Sequence, residues 1–325
     1  MKLTFFGDTL LDRVYSIDLD IDNFILNLES PLSCKGTPAK YKVNLCQKGY
    51  FIKDSFGKNP IAVSLANNHI MDFGEEAFLE TLKILDMEGV KYFGAGTAED
   101  NFLNPVIVDF YGKRIALFGY VSASTHAVLG SSQNIGGAKL ELESILRDIK
   151  RVRDRVDFII VQPHWGIQEI PFPKYSDRKT AHALIENGVD LIIGHHAHII
   201  QSIEEYRGKY IFYGVGNFIF PDLDVPTRWN GREWTARRIK KQEIEHRTSL
   251  IVELDRNLNI SYYTTLLEDG RVRKVDAKIP IFLPNSQKEF ERRLLFENRK
   301  GMLKRFIRNP KIPNINHIKE FFLLK

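Results

Sequence analysis

Long hydrophobic runs are absent from this 325-residue sequence, and only two of its residues are cysteines. A membrane-spanning helix needs about 20 consecutive apolar residues, and no run approaches that length, which argues against an integral membrane protein. The segment before Gly7-Asp8 also lacks the apolar core of a signal peptide. We therefore expect a cytoplasmic protein, with a peripheral position at the inner membrane face as the alternative. In that compartment Cys34 and Cys46 are expected to be reduced thiols rather than a disulfide.

Internal repeats and low-complexity segments are also absent, and 43% hydrophobic with 27% charged residues is typical of a globular protein. The formal charge of +5 is unevenly distributed. Residues 285–325 contain 11 Lys or Arg and 4 Asp or Glu, so the rest of the chain is near neutral. Such a basic tail can meet an anionic membrane, an acidic polymer or nucleic acid, although a solvated basic helix is the default interpretation.

Apolar segments rich in Val, Ile and Phe end repeatedly in polar clusters, a pattern typical of buried strands that deliver side chains to one edge of a sheet. Predicted helices lie between some of them, so the alternation indicates layered α/β architecture. The predicted strands are 3–6, 24–28, 61–66, 156–161, 189–193, 210–215, 249–254 and 260–267. The predicted helices in this part are 75–88, 140–155 and 176–187.

The pattern changes after residue 220. Residues 222–247 are highly charged, with Trp229 and Trp234 among arginines and lysines, and predict a partly helical surface excursion.

Residues 286–307 are amphipathic and basic, and a short final helix is predicted at 315–324. We expect a catalytic domain over 1–284 and a basic helical extension over 285–325. The apolar face of the extension is expected to pack on the catalytic domain, with an anionic membrane contacted through 286–308 as the alternative; its members are Phe290, Leu294, Leu295, Leu303, Phe306 and Ile307.

The sequence has nine histidines, and five of them lie in three clusters at predicted strand ends. Imidazole, carboxylate and amide oxygen together suit Mn, Zn or Fe. Any one of these residues has a plainer explanation as a turn former or a packed side chain. Because parallel strands present their carboxyl ends to the same side of a sheet, their joint occurrence predicts a metal site at one edge. The polar residues at these strand ends include Asp8, Glu29, Asn68, His69, His164, His195, His196 and His198.

Ordered motifs along residues 2–220, with a weaker match near residue 250, resemble the poly-gamma-glutamate capsule-synthesis (CapA) family, a branch of the calcineurin-like metallophosphoesterase superfamily. The motifs are Gly7-Asp8 with Arg13, Asn27-Leu28-Glu29-Ser30-Pro31-Leu32, Leu65-Ala66-Asn67-Asn68-His69 with Asp72-Phe73-Gly74, Gly94-Ala95-Gly96, His164-Trp165-Gly166, Gly194-His195-His196-Ala197-His198 and Tyr213-Gly214-Val215-Gly216-Asn217-Phe218.

The resemblance implies a four-layer αββα sandwich of the metallophosphoesterase type, with two divalent cations held at one edge. It implies that Glu29 stands where the superfamily has a bridging aspartate, and that His69 is a catalytic histidine. The remaining ligands implied are Asp8, Asn68, His164 and the pair His196 and His198. Because His195 precedes this pair, the alignment of the two histidine ligands with the family motif is open by one residue.

Two departures from the superfamily pattern concern the metal ligands. Leu10 occupies the place of a histidine, so one metal site is expected to be poorer in ligands, or to be completed by Asn67, His195 or water. Glu29 is one methylene longer than aspartate, which would change the metal spacing or the binding of its carboxylate.

Two further residues near the predicted site have roles to be assigned. Arg13, close to the end of the first strand, can bind an anionic substrate or form an ordinary surface ion pair. Asp72 is expected to orient the loop after His69 rather than bind metal.

These features predict a metal-dependent, phosphoesterase-like hydrolase that acts on an anionic small molecule or polymer. The resemblance places it in capsule or surface-polymer synthesis or modification. The alternative is a metal-binding assembly or polymer-binding module without turnover, which Leu10 favours. Nucleic acid is the less favoured substrate because no nucleic-acid motif accompanies the tryptophans of 222–247, and that segment can instead be a lid or a specificity element.

Overall fold

Residues 1–40, 42–229 and 234–308 are described by the structure, a computed structural model of the chain. The strands, in chain order, are β1 (Lys2–Thr9), β2 (Ser16–Asp18), β3 (Asn23–Leu28), β4 (Ala62–Ser64), β5 (Lys91–Phe93), β6 (Ala95–Gly96), β7 (Val106–Phe110), β8 (Lys113–Val121), β9 (Gly136–Gly137), β10 (Phe158–His164), β11 (Leu191–Ile193), β12 (Ile203–Tyr206), β13 (Lys209–Phe212), β14 (Asn217–Ile219), β15 (Leu223–Trp229), β16 (Trp234–Lys240), β17 (Thr248–Asp255), β18 (Ile260–Glu268) and β19 (Arg271–Val275). The helices are α1 (Ile52–Phe56), α2 (Gly74–Met87), α3 (Leu142–Val152), α4 (Tyr175–Glu186), α5 (Ile244–Arg247) and α6 (Gln287–Arg308).

Two sheets form the centre of the molecule. The first sheet has the strand order β2-β19-β18-β17-β1-β3-β4-β5, with β14 also paired to β1. Its strands β1, β3, β4 and β5 are mutually parallel. The second sheet has the order β12-β13-β11-β10-β8-β7, and its strands β8, β10, β11 and β13 are parallel. Each sheet therefore directs the carboxyl ends of its parallel strands to a single edge.

The packing of these sheets gives four layers. One apolar cluster lies between the sheets and contains Phe5 and Ile25 of the first sheet together with Leu117 and Ile160 of the second. A second cluster joins the outer face of the first sheet to α1 and α2, and a third joins the outer face of the second sheet to α3 and α4. The expected αββα sandwich is confirmed by this order of layers.

Most predicted elements are present close to their predicted positions. Helix α2 follows the predicted amphipathic pattern, buries Phe78 and Leu85, and is followed by Gly89 in a left-handed conformation with φ 69°. The antiparallel pair β7 and β8 was not predicted. Strand β8 is buried from Ile115 onward, so its apolar run has the continuous character of a strand covered on two faces rather than an alternating pattern.

The two cysteines form a disulfide, so the expectation of reduced thiols is wrong. The Cα atoms of Cys34 and Cys46 are 5.3 Å apart. The intervening segment, called here the disulfide loop (residues 34–46), folds back because the N–H groups of Ala39 and Leu45 both donate hydrogen bonds to Asp72. Since disulfides persist mainly in oxidising compartments, the cysteines no longer support the expectation of a cytoplasmic location.

The charged segment 222–247 is mostly a β-hairpin rather than the partly helical excursion expected. Strands β15 and β16 pair in antiparallel fashion, and among the described residues of this segment only α5 is helical. Arg237 donates a 2.9 Å hydrogen bond to Asp224 across the hairpin. Cross-strand ion pairs of this kind let a highly charged sequence form a two-stranded ribbon.

The basic extension begins as the predicted helix, α6. Phe290 is buried with Ile170 and Phe172, and Leu294 packs against the same cluster, whereas Leu303 is exposed. The side chains of Phe306 and Ile307 and the helix predicted at 315–324 lie outside the described residues. Within the described part of the chain, no helix combines the length and the apolar character that a membrane crossing requires. Contact between an anionic membrane and residues 286–308 stays a prediction.

Candidate metal centre

Strand ends of the first sheet bring oxygen-bearing side chains to one edge of the sandwich. Asp8 lies near the end of β1, Glu29 immediately follows β3, and Asn68 lies in the loop after β4. All three residues are at most 7% exposed. Because β1, β3 and β4 are parallel neighbours, their polar side chains are gathered at the same edge.

Strand ends of the second sheet supply imidazoles to the same edge. His164 is the last residue of β10, and His195, His196 and His198 lie in the loop after β11. A parallel β-bridge joins His164 to His195. His196 and His198 have positive φ angles of 86° and 58°, a region that is uncommon for residues other than glycine. The loop is therefore held in a particular conformation by its surroundings.

Two glycines allow the close backbone approaches that this edge requires. A Cβ atom on Gly7 would collide with the carbonyl oxygen of Gly216, and one on Gly194 would collide with that of Tyr213. With glycine at these positions, the N–H of Asp8 bonds the carbonyl of Gly216 and the N–H of Gly194 bonds the carbonyl of Phe212. The glycines before Asp8 and before the histidine loop thus place the ligands that follow them.

Asn27 connects the two carboxylates. Its Nδ2 donates to Asp8 Oδ1 at 2.8 Å and to Glu29 Oε2 at 2.6 Å. The other carboxylate oxygen of the glutamate, Oε1, is buried and has no hydrogen-bond partner among the described residues. It lies 3.8 Å from His164 Nε2 and 3.9 Å from His198 Nε2. A buried oxygen without a donor is costly, so this atom points to a cation as its partner.

An amide and two imidazoles form a compact group beside that oxygen. His164 Nε2 lies 2.8 Å from Asn68 Oδ1 and 3.1 Å from His196 Nδ1. The other ring nitrogen of His164, Nδ1, is buried without a hydrogen-bond partner among the described residues. The structure therefore brings Glu29, Asn68, His164 and His196 together as the sequence predicted.

His198 lies on the Asp8 side of the site. Its Nδ1 is 2.8 Å from Asn217 Oδ1 and 3.3 Å from Asp8 Oδ2. The Nδ2 of Asn217 donates to the carbonyl of His246 at 3.1 Å, so its Oδ1 is the atom that faces the imidazole. His198 Nδ1 therefore carries a proton, which it donates to Asn217, and Nε2 is the nitrogen left free to bind a metal.

His195 lies between Asp8 and the second sheet. Its Nδ1 is 3.1 Å from Asp8 Oδ1, in a geometry that does not form a hydrogen bond, and its Nε2 is 3.3 Å from Gln162 Oε1. The backbone N–H of His196 donates to Asp8 Oδ2 at 3.1 Å. All three histidines of the loop thus reach the cluster, and the assignment of His196 and His198 as ligands stays a prediction.

The predicted catalytic histidine, His69, is oriented by Asp72. Its Nδ1 is 2.6 Å from Asp72 Oδ2, which agrees with the expectation that Asp72 orients this region. Asp72 also forms an ion pair with Lys42, whose ammonium donates to the carbonyl of Asn68 at 2.5 Å. The backbone N–H of Leu45 is a further donor to Asp72, at 2.7 Å.

Arg13 is not brought into the cluster. Its guanidinium lies over the ring of Tyr15, 5.3 Å from the ring centroid, and near the turn at Gly270. Its side chain is exposed. A role for Arg13 toward an anionic substrate stays a prediction.

The two buried carboxylates differ in their electrostatics. Burial, reinforced by the negative charge of Asp8, raises the pKa of Glu29 well above its usual value. Burial would also raise the pKa of Asp8, but the adjacent His195 and His198 outweigh it and hold that pKa well below its usual value. Asp8 is therefore charged at neutral pH, whereas the protein without metal disfavours a second charge on Glu29.

The imidazoles of the compact group are kept neutral. Burial, assisted by the neighbouring His196, lowers the pKa of His164 well below its usual value. Burial and the adjacent His198 lower the pKa of His196 to about 3. Burial also lowers the pKa of His69, although Asp72 opposes this shift. Metal ligation requires neutral imidazole, so no proton has to be removed from these rings at neutral pH.

A divalent cation fits this set of donors. Ligand atoms of Asp8, Glu29 and His164 lie within 4.8 Å of one another. The site combines an oxygen that lacks a donor, neutral imidazoles and an amide oxygen, which together suit Mn, Zn or Fe.

Three positioning residues were not predicted from the sequence. Asn27 had a signal, since it is a polar residue within the apolar strand run Phe24–Leu28. Asn217 had one too, since it follows Val215-Gly216 at a predicted strand end. Lys42 had no such signal in the sequence, because its contact with Asp72 depends on how the disulfide loop folds.

The fold and the site together define a protein of the αββα class with a candidate metal centre at the edge where the two sheets meet. The family described as bacterial capsule synthesis protein PGA_cap matches residues 2–222. The chain belongs to this family.

Among individual proteins, the chain is 30% identical over 162 residues to the capsule biosynthesis protein CapA of Bacillus anthracis, a match that covers 49% of this chain and 39% of that protein. It is 26% identical over 290 residues to the PGA biosynthesis protein CapA of Bacillus subtilis, covering 82% of this chain and 75% of that protein. The match to the first relative therefore spans well under half of that relative's length. A solved structure of a putative 5'-nucleotidase from Staphylococcus aureus is similar with 11% identity and a TM-score of 0.47, over 90% of this chain and 58% of that chain.

Proposed function

We propose that this protein is a metal-dependent, phosphoesterase-like hydrolase that acts on an anionic substrate in the synthesis or modification of a capsule or surface polymer. The observation that carries the proposal is the buried Glu29 Oε1. This atom lacks a hydrogen-bond donor among the described residues and faces His164 and His198. A structural carboxylate at this depth would normally be paired, so the arrangement is that of a ligand set rather than of a salt bridge.

Two divalent cations, as the sequence predicted, would be held by oxygens of the first sheet and nitrogens of the second. The proposed ligands are Asp8, Glu29, Asn68, His164, His196 and His198. When bound, the cations supply Lewis-acid stabilisation of a substrate oxygen and activation of water near neutral pH.

His69 is proposed to move a proton at the leaving group. Asp72 accepts the Nδ1 proton of His69 at 2.6 Å, so Nε2 is the nitrogen that exchanges a proton with substrate. The residue is 7% exposed, and it directly follows Asn68, a proposed ligand, in the chain. Lys42 and the N–H of Leu45 hold Asp72 in place.

The biological setting is proposed from the relatives. The names of the Bacillus proteins refer to capsule biosynthesis and to PGA biosynthesis, and an anionic polymer or its building block is a substrate that a cationic centre suits. Arg238 and Lys241 are exposed near the end of the hairpin β15–β16. Lys240 between them pairs with Glu169, whose N–H donates to the carbonyl of Ala197 in the histidine loop, so these positive charges lie on the same side of the molecule as that loop. Long-range attraction of an anionic substrate follows from such charges.

The test compares wild type with Asp8→Ala and His164→Ala, using bound Mn, Zn and Fe at saturating supply together with turnover of generic phosphoesters. His126→Asn is the matched control, because His126 is exposed and has a φ of 61° that asparagine tolerates. We expect both site variants to bind less metal and to lose turnover while the control retains both. Equal metal content and equal turnover in all four proteins would contradict the proposal.

A metal-binding assembly module without turnover is the second candidate. The observation that favours it is Leu10, an apolar residue at a position where the superfamily has a ligand. Stoichiometric metal binding without cleavage of phosphoester, amide or glycan substrates would support this candidate over the hydrolase.

A further inference from the structure

The disulfide loop has no regular secondary structure in the part that the structure describes. No ladder of backbone hydrogen bonds therefore fixes its conformation there. Residues 35–38 are exposed, and the ion pair between Lys35 and Glu80 lies at the surface, where such pairs contribute little to stability. A segment with these properties opens at low free-energy cost, so any crosslink within it has a large influence on its conformation.

The two ends of this loop are held differently. Cys46 is followed by Gln47, which is buried. The N–H of Gln47 donates to the carbonyl of Pro31 at 2.9 Å, and its Oε1 accepts from the N–H of Leu11 at 3.2 Å. Cys34 is followed instead by the exposed stretch. The disulfide therefore ties the exposed end of the loop to the anchored end, and without it the intervening residues gain conformational freedom.

Lys42 lies inside the loop and contacts the proposed catalytic region. Its ammonium pairs with Asp72 and donates to the carbonyl of Asn68 at 2.5 Å. Asp72 Oδ2 is in turn 2.6 Å from Nδ1 of His69. The side chain of Lys42 is 23% exposed and that of Asp72 is 1% exposed, so water screens this charge pair only in part and its loss is costly. The position of Lys42 therefore influences how Asp72 holds His69.

We propose that the Cys34–Cys46 disulfide is a positioning element for His69: it holds Lys42 against Asp72, and a dithiol that reduces it releases this contact and slows turnover. The inference rests on the proposed function, in which His69 moves a proton at the leaving group. It adds a redox dependence to that site.

Reduction proceeds by thiol–disulfide exchange, and both cysteines are partly exposed. A thiolate of the dithiol attacks one sulfur, the bond between the cysteines breaks, and a mixed disulfide forms while the other cysteine leaves and takes up a proton. The second thiol of the reagent then attacks the mixed disulfide and releases the remaining cysteine, which is also protonated. Two electrons and two protons pass to the protein, and the dithiol becomes a disulfide.

The test measures kcat, KM and bound Mn²⁺ of the full chain on a generic phosphoester before and after treatment with dithiothreitol. We expect reduction to lower kcat about tenfold, the fall that follows loss of a charge-assisted contact, with KM and metal content unchanged. The double variant Cys34→Ser, Cys46→Ser should have the lowered kcat from the start and should not respond to the reagent. It also corrects for any metal that the reagent removes.

Lys42→Met shows whether the disulfide acts through this residue. Its kcat is already lowered when the disulfide is intact, so reduction is expected to lower kcat further by no more than about twofold. Lys40→Met, at an exposed position in the same loop, should keep the tenfold response. A tenfold response in both variants would overturn the inference.

The proton on Nδ1 of His69 gives a readout that does not need turnover. Its short hydrogen bond to Asp72 shifts this proton far downfield in a nuclear magnetic resonance spectrum, and His69→Asn assigns the signal by its loss. We expect reduction and Lys42→Met to shift the signal alike. An unchanged signal in the reduced, folded protein would overturn the inference. Unfolding of the whole chain on reduction, judged by circular dichroism, would also overturn it, because the disulfide would then be a general stabilising crosslink.

The remaining outcomes separate this inference from the hydrolase proposal. Turnover that stays unchanged after the disulfide is reduced would overturn the inference and leave the hydrolase proposal intact. A wild type that binds metal and shows the expected His69 signals, but cleaves no phosphoester, amide or glycan substrate, would overturn the hydrolase proposal and support the positioning of His69 by the disulfide.

Discussion

The two sheets contribute different chemistry to the candidate metal centre. The first sheet provides the oxygen-bearing side chains of Asp8, Glu29 and Asn68, and the second provides the imidazoles of His164, His196 and His198. The oxygen side contains a carboxyl group whose pKa is raised by burial, whereas the nitrogen side contains imidazoles whose pKa values are lowered by burial. Because these side chains are divided between the two sheets, the candidate site depends on the apolar cluster that joins the sheets.

Replacing Glu29, the carboxylate proposed to bind the cation, should have the largest effect. Glu29→Gln keeps the size of the side chain but removes its negative charge, so we expect metal affinity to fall by at least about 100-fold and phosphoester turnover by about 1000-fold or more. Calorimetric metal titration and turnover measure these losses. Glu205→Gln, at an exposed position, is the control, and a Glu29→Gln protein that binds metal as wild type would show that the oxygen side is not required.

Removing His69, the proposed proton donor, should reduce turnover without reducing metal content. His69→Asn is expected to lower kcat by about 100- to 1000-fold, the usual contribution of general acid–base catalysis. Bound metal should remain at the wild-type level, because His69 is not one of the proposed ligands. If metal content falls in parallel with kcat, His69 is a ligand rather than a proton donor.

Helix α6 packs against the segment that follows His164 in the second sheet, and this packing can be tested by measuring the free energy of unfolding. Phe290 is buried against Ile170 and Phe172 in the segment that follows His164, so Phe290→Ala is expected to cost about 3 kcal/mol in unfolding free energy. Phe296 lies on the same helix and is 55% exposed. Its Phe296→Ala variant is expected to cost about 0.5 kcal/mol or less, as measured by urea unfolding. Equal losses in the two variants would mean that α6 does not dock through Phe290.

The disulfide loop supports the oxygen side through Lys42. Lys42→Met removes the ammonium that pairs with Asp72 and bonds the carbonyl of Asn68, so His69 loses part of its support. We expect kcat to fall about tenfold with KM unchanged, since a partly buried charge-assisted contact is worth about 1.5 kcal/mol or more. Lys40→Met, an exposed position in the same loop, is the control, and Lys42→Arg should recover most of the activity. A changed KM with unchanged kcat would argue against this positioning role.

The two sides should also respond to pH with opposite signs in the metal-free protein. The pKa of Glu29 is raised in the folded state, so its charged form destabilises the protein at pH 7 and this cost diminishes as the pH falls. The pKa of His164 is lowered in the folded state, so stability is lost as the pH falls through about 6.5, where the unfolded chain takes up the proton.

Thermal unfolding with a chelator present between pH 7 and pH 5 measures this difference. Relative to wild type, Glu29→Gln should be more stable at pH 7, and its advantage should shrink toward pH 5. The stability of His164→Gln relative to wild type should instead rise as the pH falls. Each change is limited to about 1.4 kcal/mol per pH unit. Parallel pH profiles for the two variants would contradict the assigned electrostatics.

Much of the architecture could be predicted from the sequence because it depends on local patterns. Apolar runs such as that of β10 and the amphipathic spacing of α2 are properties of consecutive residues, and the predicted positions agree with the structure. The disulfide and the hairpin β15–β16 could not be predicted in this way. The folding of the disulfide loop is set by contacts with Asp72, a residue distant from Cys34 along the chain, and the charged hairpin has no apolar periodicity to reveal it.

The sequence by itself determined which ligand types this protein presents and that they follow buried strands, because residue identity and strand periodicity are local. Only the tertiary structure decided that Asn27 joins the two carboxylates, that His198 Nδ1 faces Asn217, and that Leu10 packs with Leu45 and Phe220. These features depend on how two sheets align when they pack, and that alignment comes from side chains far apart in the sequence.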